Sequence, residues 1–195
     1  MIIGLTGGIG SGKTTVVNFF KEFKNVSVYI ADSEAKNLMN KSLIIRNKIK
    51  KEFGEKAFYN NQLDRKYISN IVFKDKQKLK ALNSIVHPEV AKHFKEFAEI
   101  NSKEGYILYE NAILFETNNN EFCDYIITVF APEKLRISRV LERDDFSEND
   151  VIYRIKNQFS DEKKMIQSNY VIKNISLKTT KIEVGRIHKF LTEKY

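Results

Sequence analysis

The 195-residue sequence has one cysteine, two prolines, no tryptophan and only eight glycines. Cys123 stands alone, which rules out an intrachain disulfide and points to a reducing compartment. With no motif around it, Cys123 reads as a small packed side chain. No apolar run approaches the roughly 20 residues that span a bilayer, so no membrane partner is expected. The chain opens on a short apolar strand and a Gly-rich turn, a poor fit to a secretory leader, and the expected location is cytoplasmic. Internal repeats and low-complexity tracts are also missing. Where glycine is scarce, four of them in the six residues Gly7-Gly8-Ile9-Gly10-Ser11-Gly12 stand out.

What the chain does have is positive charge: 33 Lys and Arg against 25 Asp and Glu, a formal net charge of +8. A basic balance suits nucleic acid, an anionic surface or small phosphorylated ligands, or it is simply a solvated Lys-rich exterior. The lysines are spread along the chain without a long basic block, so no nucleic-acid partner is expected. The apolar fraction of 42% can fill a sizeable core, and the length suits one α/β domain carrying insertions.

Apolar runs at Met1 to Thr6, Val26 to Ile30, Tyr106 to Tyr109, Tyr125 to Phe130 and Tyr170 to Ile172 read as strands. Between them, helical spacing appears at Val16, Val17, Phe19, Phe20 and Phe23, from Glu133 to about Glu142, from Val151 to Gln158, and near the C-terminus. Asp32-Ser33 offers N-cap chemistry for a helix running to Leu38. The Lys-rich stretch from about Leu43 to Ile100 is helical in period, punctuated by Gly54, Asn60-Asn61 and His87-Pro88. Arg143 to Asn149 reads as a polar loop. Strands alternating with helices imply a parallel sheet covered on both faces, with a ligand crevice beyond the carboxyl ends of its strands. Asp32 and Glu110 both follow strand runs at that end.

Gly7-x-x-x-x-Gly12-Lys13-Thr14 matches the phosphate-loop pattern in full, between the strand and the amphipathic helix that the motif requires. Its glycines let successive N–H groups turn toward phosphate oxygens, and the helix presents its positive end to the same anion. Lys13 is spaced to reach the β- and γ-phosphates, and the Thr14 hydroxyl to ligate Mg²⁺. ATP and Mg²⁺ are therefore the expected cofactors, with Gly8, Ile9, Gly10, Ser11, Gly12, Lys13, Thr14 and Thr15 at the nucleotide. A guanine-reading Asn-Lys-x-Asp is absent, since Asn40-Lys41-Ser42-Leu43 lacks the acid, and so is a transporter-type Leu-Ser-Gly-Gly. A helical insert and an Arg-rich segment at Arg136, Arg139, Arg143 and Arg154 suit a small-molecule kinase. Arg139 and Arg143, four apart, share a helical face, which favours joint action. Arg136 and Arg154 also read as ordinary surface charges.

The stretch Ile3 to Thr15 closely resembles the start of the dephospho-coenzyme A kinases. Asp32 with Ala35, Leu63-Asp64-Arg65 leading to Val72-Phe73, Leu82 to Pro88, Leu114-Phe115-Glu116, the lid residues Arg139, Arg143, Arg154 and Gln158, and Tyr170 to Asn174 resemble later signposts of that family in order and spacing. Four positions depart from it: Ile30 stands where the family has an acid, Glu110 replaces an Asp, Ala112 a proline, and Arg136 a lid Gln. The resemblance implies an α/β fold, with a parallel-sheet P-loop core at about 1–35, 104–135 and 168–195, a helical acceptor insert at about 36–103 and an Arg-rich lid at about 136–167. It implies ATP-dependent phosphorylation of the ribose 3′-hydroxyl of dephospho-CoA. Asp32 would accept or orient the hydroxyl proton, Lys13, Arg139 and Arg143 would hold the transferring phosphoryl, and Glu110 would hold the metal through water. Arg65 and His87 become acceptor-binding candidates, and Asn174 a neighbour of the adenine. Beside these stand plainer roles: a cap or strand-end acid for Asp32 and Glu110, and a helix boundary for His87-Pro88. A nucleoside monophosphate kinase and a non-kinase P-loop ATPase switch are the alternative functions.

Overall fold

The computed structural model describes residues 1–101 and 105–193. The expected junction of insert and core at 103 and 104 lies outside the described residues. In chain order the elements are β1 (Ile2–Thr6), α1 (Lys13–Phe20), β2 (Val26–Ile30), α2 (Ala31–Lys41), α3 (Leu43–Phe53), β3 (Phe58–Tyr59), β4 (Gln62–Leu63), α4 (Arg65–Lys74), α5 (Lys76–Asn101), β5 (Tyr106–Glu110), β6 (Tyr125–Phe130), α6 (Glu133–Arg143), α7 (Glu148–Lys156), α8 (Asp161–Ile166), β7 (Tyr170–Lys173) and α9 (Leu177–Glu193). They form two compact units. One comprises Met1–Ile30 and the chain from Asn101 onward, the other Ala31–Ile100. Among the described residues, no helix is long and apolar enough to cross a membrane.

The first unit is built on a five-stranded sheet of order β2-β5-β1-β6-β7, with every neighbouring pair parallel. Parallel strands covered on both faces must be apolar throughout, and β5 is buried at all five positions. The chain leaves central β1 toward β2 on one flank and later returns to β6 and β7 on the other. The turn after β1 therefore sits at the switch point where such sheets bind ligands. Ile3, Leu5, Leu108, Ile127, Val129 and Ile172 of the strands close on Val16, Val17 and Phe20 of α1 and on Val184, Ile187 and Leu191 of α9. The phenylalanine-rich first helix thus serves the core: Phe20 is fully buried and meets Tyr106 edge-on, ring centroids 6.4 Å apart. Cys123 packs under Gly4, where an added Cβ would lie 2.8 Å from its sulfur, and burial pushes its thiol up to about 12.

The second unit is helical. Ile45, Ile49 and Phe53 of α3, Ile68 of α4 and Val86, Val90 and Phe94 of α5 are buried. Ser42 and Asp64 cap α3 and α4 by accepting from the amides of Ile45 and Tyr67. Asn60 and Asn61 both adopt positive φ, 45° and 64°, and turn β3 into antiparallel β4, a small hairpin that the helical period around it conceals.

Three local expectations are corrected. α2 starts at Ala31, directly on the end of β2, so Asp32 and Ser33 lie inside its first turn rather than capping it. His87-Pro88 is no boundary: Pro88 lies within α5. The apolar stripe of Val86, Val90 and Phe94 runs across the proline, and its burial outweighs the one lost helical bond. The polar loop is only four residues, 144–147, because Asp144 follows α6 and a capping box of Ser147 with Asp150 starts α7 at Glu148.

Removing the edge-on ring from this core has a defined cost. Phe20→Ala should lower stability by about 3–5 kcal/mol, whereas Ile182→Ala, at a residue 48% exposed, should change it by about 0.5 kcal/mol or less. Urea denaturation followed by far-UV circular dichroism reads both.

Candidate active site

The turn after β1 is shaped for close approach. Gly10 and Gly12 hold φ of 77° and 89°, the left-handed region that side chains disfavour. A Cβ at Gly10 would also collide with the backbone of Arg136, and one at Gly12 with the side-chain amide of Asn174. Gly12 caps α1, taking bonds from Thr15 N at 3.0 Å and Val16 N at 3.2 Å. The first turn of α1 contains no acid, so the amides and dipole at its N-terminus favour an anion.

Lys13, the first residue of that helix, folds its ammonium back over the turn. Its Nζ donates to Gly7 O at 3.0 Å and lies 3.5 Å from Gly8 O. Glu110 Oε1 is 4.0 Å away, on a side chain only 10% exposed. Glu110 is placed there by strand register, pairing with Leu5 of β1 on one side and Ile30 of β2 on the other. Thr14 is exposed at the same helix start.

The loop is gripped from three further directions. Asn174, only 2% exposed, donates from Nδ2 to Ser11 O at 2.9 Å and accepts from Thr180 Oγ1 at 3.0 Å. Arg139 Nη2 donates to Asn174 O at 3.0 Å. Its Nη1 is buried, has no hydrogen-bond partner among the described residues, and lies toward Gly12, 3.7 Å from where a Cβ there would be. Gln158, just past α7, accepts from Ile9 N at 2.9 Å. Arg136 packs on the loop itself, its guanidinium filling the space where a Cβ on Gly8 would go.

Arg136 is the clearest correction. It is no surface charge but 3% exposed, paired through Nη1 with Asp161 Oδ1 at 3.0 Å. Burial raises the Asp161 carboxyl above its ordinary value, and the Arg136 cation opposes that rise. Its spacing carried a signal, since Arg136 and Val140 are four apart and both buried on one face of α6. Lys164 had no such signal in its polar run. Fully buried, it bonds Ala112 O at 2.7 Å and pairs with Glu116 Oε1 at 2.9 Å. The same Glu116 oxygen accepts from Phe159 N at 2.8 Å. A cleft of about 500 Å³ opens among Phe130, Arg136, Gln158, Phe159, Asp161 and Met165.

The structure thus gathers Lys13, Thr14, Glu110, Arg139 and Asn174 at one turn, but gives two residues different engagements from those expected. Asn174, with both amide atoms occupied inside the protein, shapes the loop from behind rather than offering an edge to a base. Arg143 does not share Arg139's partner. It forms a forked pair with neighbouring Asp144, at 3.1 and 2.7 Å, which holds the Asp144 carboxyl below its ordinary value. Asp32, Arg65 and His87 belong to the second unit. Asp32 is exposed in the first turn of α2, and Arg65 is exposed at the start of α4. His87 is half-buried in α5, where burial draws its imidazole below the ordinary value.

The family model described as dephospho-CoA kinase matches residues 1–179. A dephospho-CoA kinase of Fusobacterium nucleatum is 38% identical over 177 residues, covering 90% of this chain and 90% of that protein. Among solved structures, TT1252 from Thermus thermophilus superposes with a TM-score of 0.83 at 29% identity, covering 100% of this chain and 97% of that one. Dephospho-CoA kinase from Campylobacter jejuni shares the fold, with a TM-score of 0.74 at 23% identity over 99% and 98% of the two chains. With a match of this extent around an intact phosphate loop, the chain belongs to the dephospho-CoA kinase family.

Proposed function

We propose that this protein transfers the γ-phosphoryl group of ATP to the ribose 3′-hydroxyl of dephospho-CoA, yielding coenzyme A and ADP. The observation that carries the reading is a complete phosphate loop, with Lys13 set between the Gly7 carbonyl and Glu110, in a chain of this family. In the transfer the acceptor oxygen bonds to the γ-phosphorus, the bond from that phosphorus to the β,γ-bridging oxygen breaks, and the hydroxyl proton leaves. Such transfer depends on in-line positioning and charge neutralisation. The loop amides from Gly10 through Thr15 cradle the triphosphate. Lys13 exchanges its loop carbonyls for phosphate oxygens, and Nη1 of Arg139, which has no hydrogen-bond partner among the described residues, supplies a second donor. Arg143 opens from Asp144 to reach the transferring group, its planar fork matching phosphate as it now matches carboxylate. Asp32 takes the proton. Arg65, His87 and the helical unit around them receive the acceptor.

The hard oxygen donors Thr14 and Glu110 fit Mg²⁺, which is held by one or two protein oxygens beside phosphates rather than by an all-protein cage. When bound, the ion neutralises charge on the β- and γ-oxygens. The reading takes small molecules as partners and places the protein in the cytoplasm, supported by dispersed lysines and a lone cysteine.

Incubating the protein with ATP–Mg²⁺ and dephospho-CoA, AMP, UMP or shikimate should yield a phosphorylated product from dephospho-CoA alone. Turnover of a monophosphate without dephospho-CoA turnover would replace this reading with a nucleoside monophosphate kinase.

Lys13→Ala should reduce transfer by about a hundredfold or more while the far-UV circular dichroism spectrum stays unchanged. Wild-type turnover would remove Lys13 from the phosphate site.

Asp32→Asn should reduce kcat by about 10²–10⁴-fold, with ATP affinity by calorimetry within about twofold of wild type. A parallel fall in both would show that Asp32 is no base.

A further inference from the structure

Gln158 does something that neither the phosphate-loop pattern nor the proposed mechanism assigns. Its side-chain carbonyl accepts the amide of Ile9 at 2.9 Å, a contact between residues 149 apart in sequence. Ile9 lies at the tip of the loop, between the carbonyl of Gly8, which takes Ser11 N at 3.1 Å, and the left-handed Gly10. An N–H at such a position is free to swing unless something holds it. The holder is itself anchored. The next residue, Phe159, donates its amide to Glu116 Oε1, and that oxygen also meets the fully buried Lys164 ammonium at 2.9 Å. Lys164 continues to Ala112 O at 2.7 Å, a carbonyl that lies 3.4 Å from the hydroxyl of Thr6, the last residue before the loop. A closed circuit runs from the start of the loop through Ala112, Lys164, Glu116 and Phe159 to Gln158 and back to the loop tip.

We infer that Gln158 is a positioning residue for the nucleotide: it fixes the loop tip before ATP arrives, and Glu116 with Lys164 fixes the backbone from which it reaches. The inference rests on the kinase reading and deepens it. A loop already ordered loses less freedom when the triphosphate binds, so the tether favours binding. Once phosphates fill the loop they order it themselves, so the tether contributes little to the chemical step.

That division predicts an unusual kinetic signature. Gln158→Met keeps the bulk of the side chain and removes the acceptor, while Gln158→Asn keeps the amide but cannot reach Ile9. Both should raise the KM for ATP and the Kd for ADP by about three- to tenfold, the weight of one hydrogen bond. Both should leave kcat and the KM for dephospho-CoA within about twofold, and Tm within about 2 °C, of wild type. An unchanged KM for ATP and Kd for ADP in both variants overturns the inference. So does a loss of affinity for both substrates together with a fall in Tm of several degrees, the mark of a general structural role. If wild-type protein phosphorylates no dephospho-CoA, the kinase reading fails instead, and ADP binding to the variants alone decides the tether.

Discussion

A phosphate loop has to keep its amide donors pointed at a ligand that is absent for part of every cycle, and the sheet-bearing unit is organised around that constraint. The turn's own bonds, such as Ser11 N to the Gly8 carbonyl, hold only part of the curl, since backbone donors aimed at a ligand have no partner within it. The rest of the support comes from the helix that follows and from more distant segments. Asn174 bonds the Ser11 carbonyl from behind, Gln158 takes the Ile9 amide at the tip, Arg136 fills the space over Gly8, and Lys13 bonds the Gly7 carbonyl across the mouth. Each comes from a different segment, so the loop conformation is a property of the whole unit. The glycines are what allow the approach, since Asn174 and the Arg136 backbone stand where Cβ atoms on Gly12 and Gly10 would be.

The same crowding explains how four cations are tolerated in so small a region. Charges removed from water need partners. Lys164 has Glu116, Arg136 has Asp161, and Lys13 has Glu110, the last at a loose 4.0 Å. Arg139 differs: its bond is to the carbonyl of Asn174, and a second nitrogen is buried with no hydrogen-bond partner among the described residues. A tight pair such as Arg136 with Asp161 is committed to structure. Arg139, with that nitrogen still to be satisfied, can gain from an incoming anion.

Much of this was legible in the sequence, because it rests on local rules. The apolar runs fixed the five parallel strands to within a residue or two, and the loop declared itself through spacing alone. What stayed hidden depended on tertiary neighbours. Nothing in the polar run of α8 distinguishes Lys164 from the lysine beside it until Ala112 and Glu116 are brought to it. The family resemblance implied a ligand contact at Asn174, and only the fold shows both ends of its amide turned inward. Pro88 misled for the opposite reason: a strong local rule was overruled by an apolar stripe running through it.

Register gives the departure at Ile30 a physical meaning. Ile30, Glu110, Leu5, Ile127 and Tyr170 lie side by side across the sheet, so Glu110 is the one acid in that row. An acid at position 30 would set a second carboxylate on the adjacent strand, and two neighbouring carboxylates resist ionising together. Ile30 leaves Glu110 to face Lys13 without that repulsion. Asp32 follows two residues further on, in the first turn of α2 and exposed to solvent.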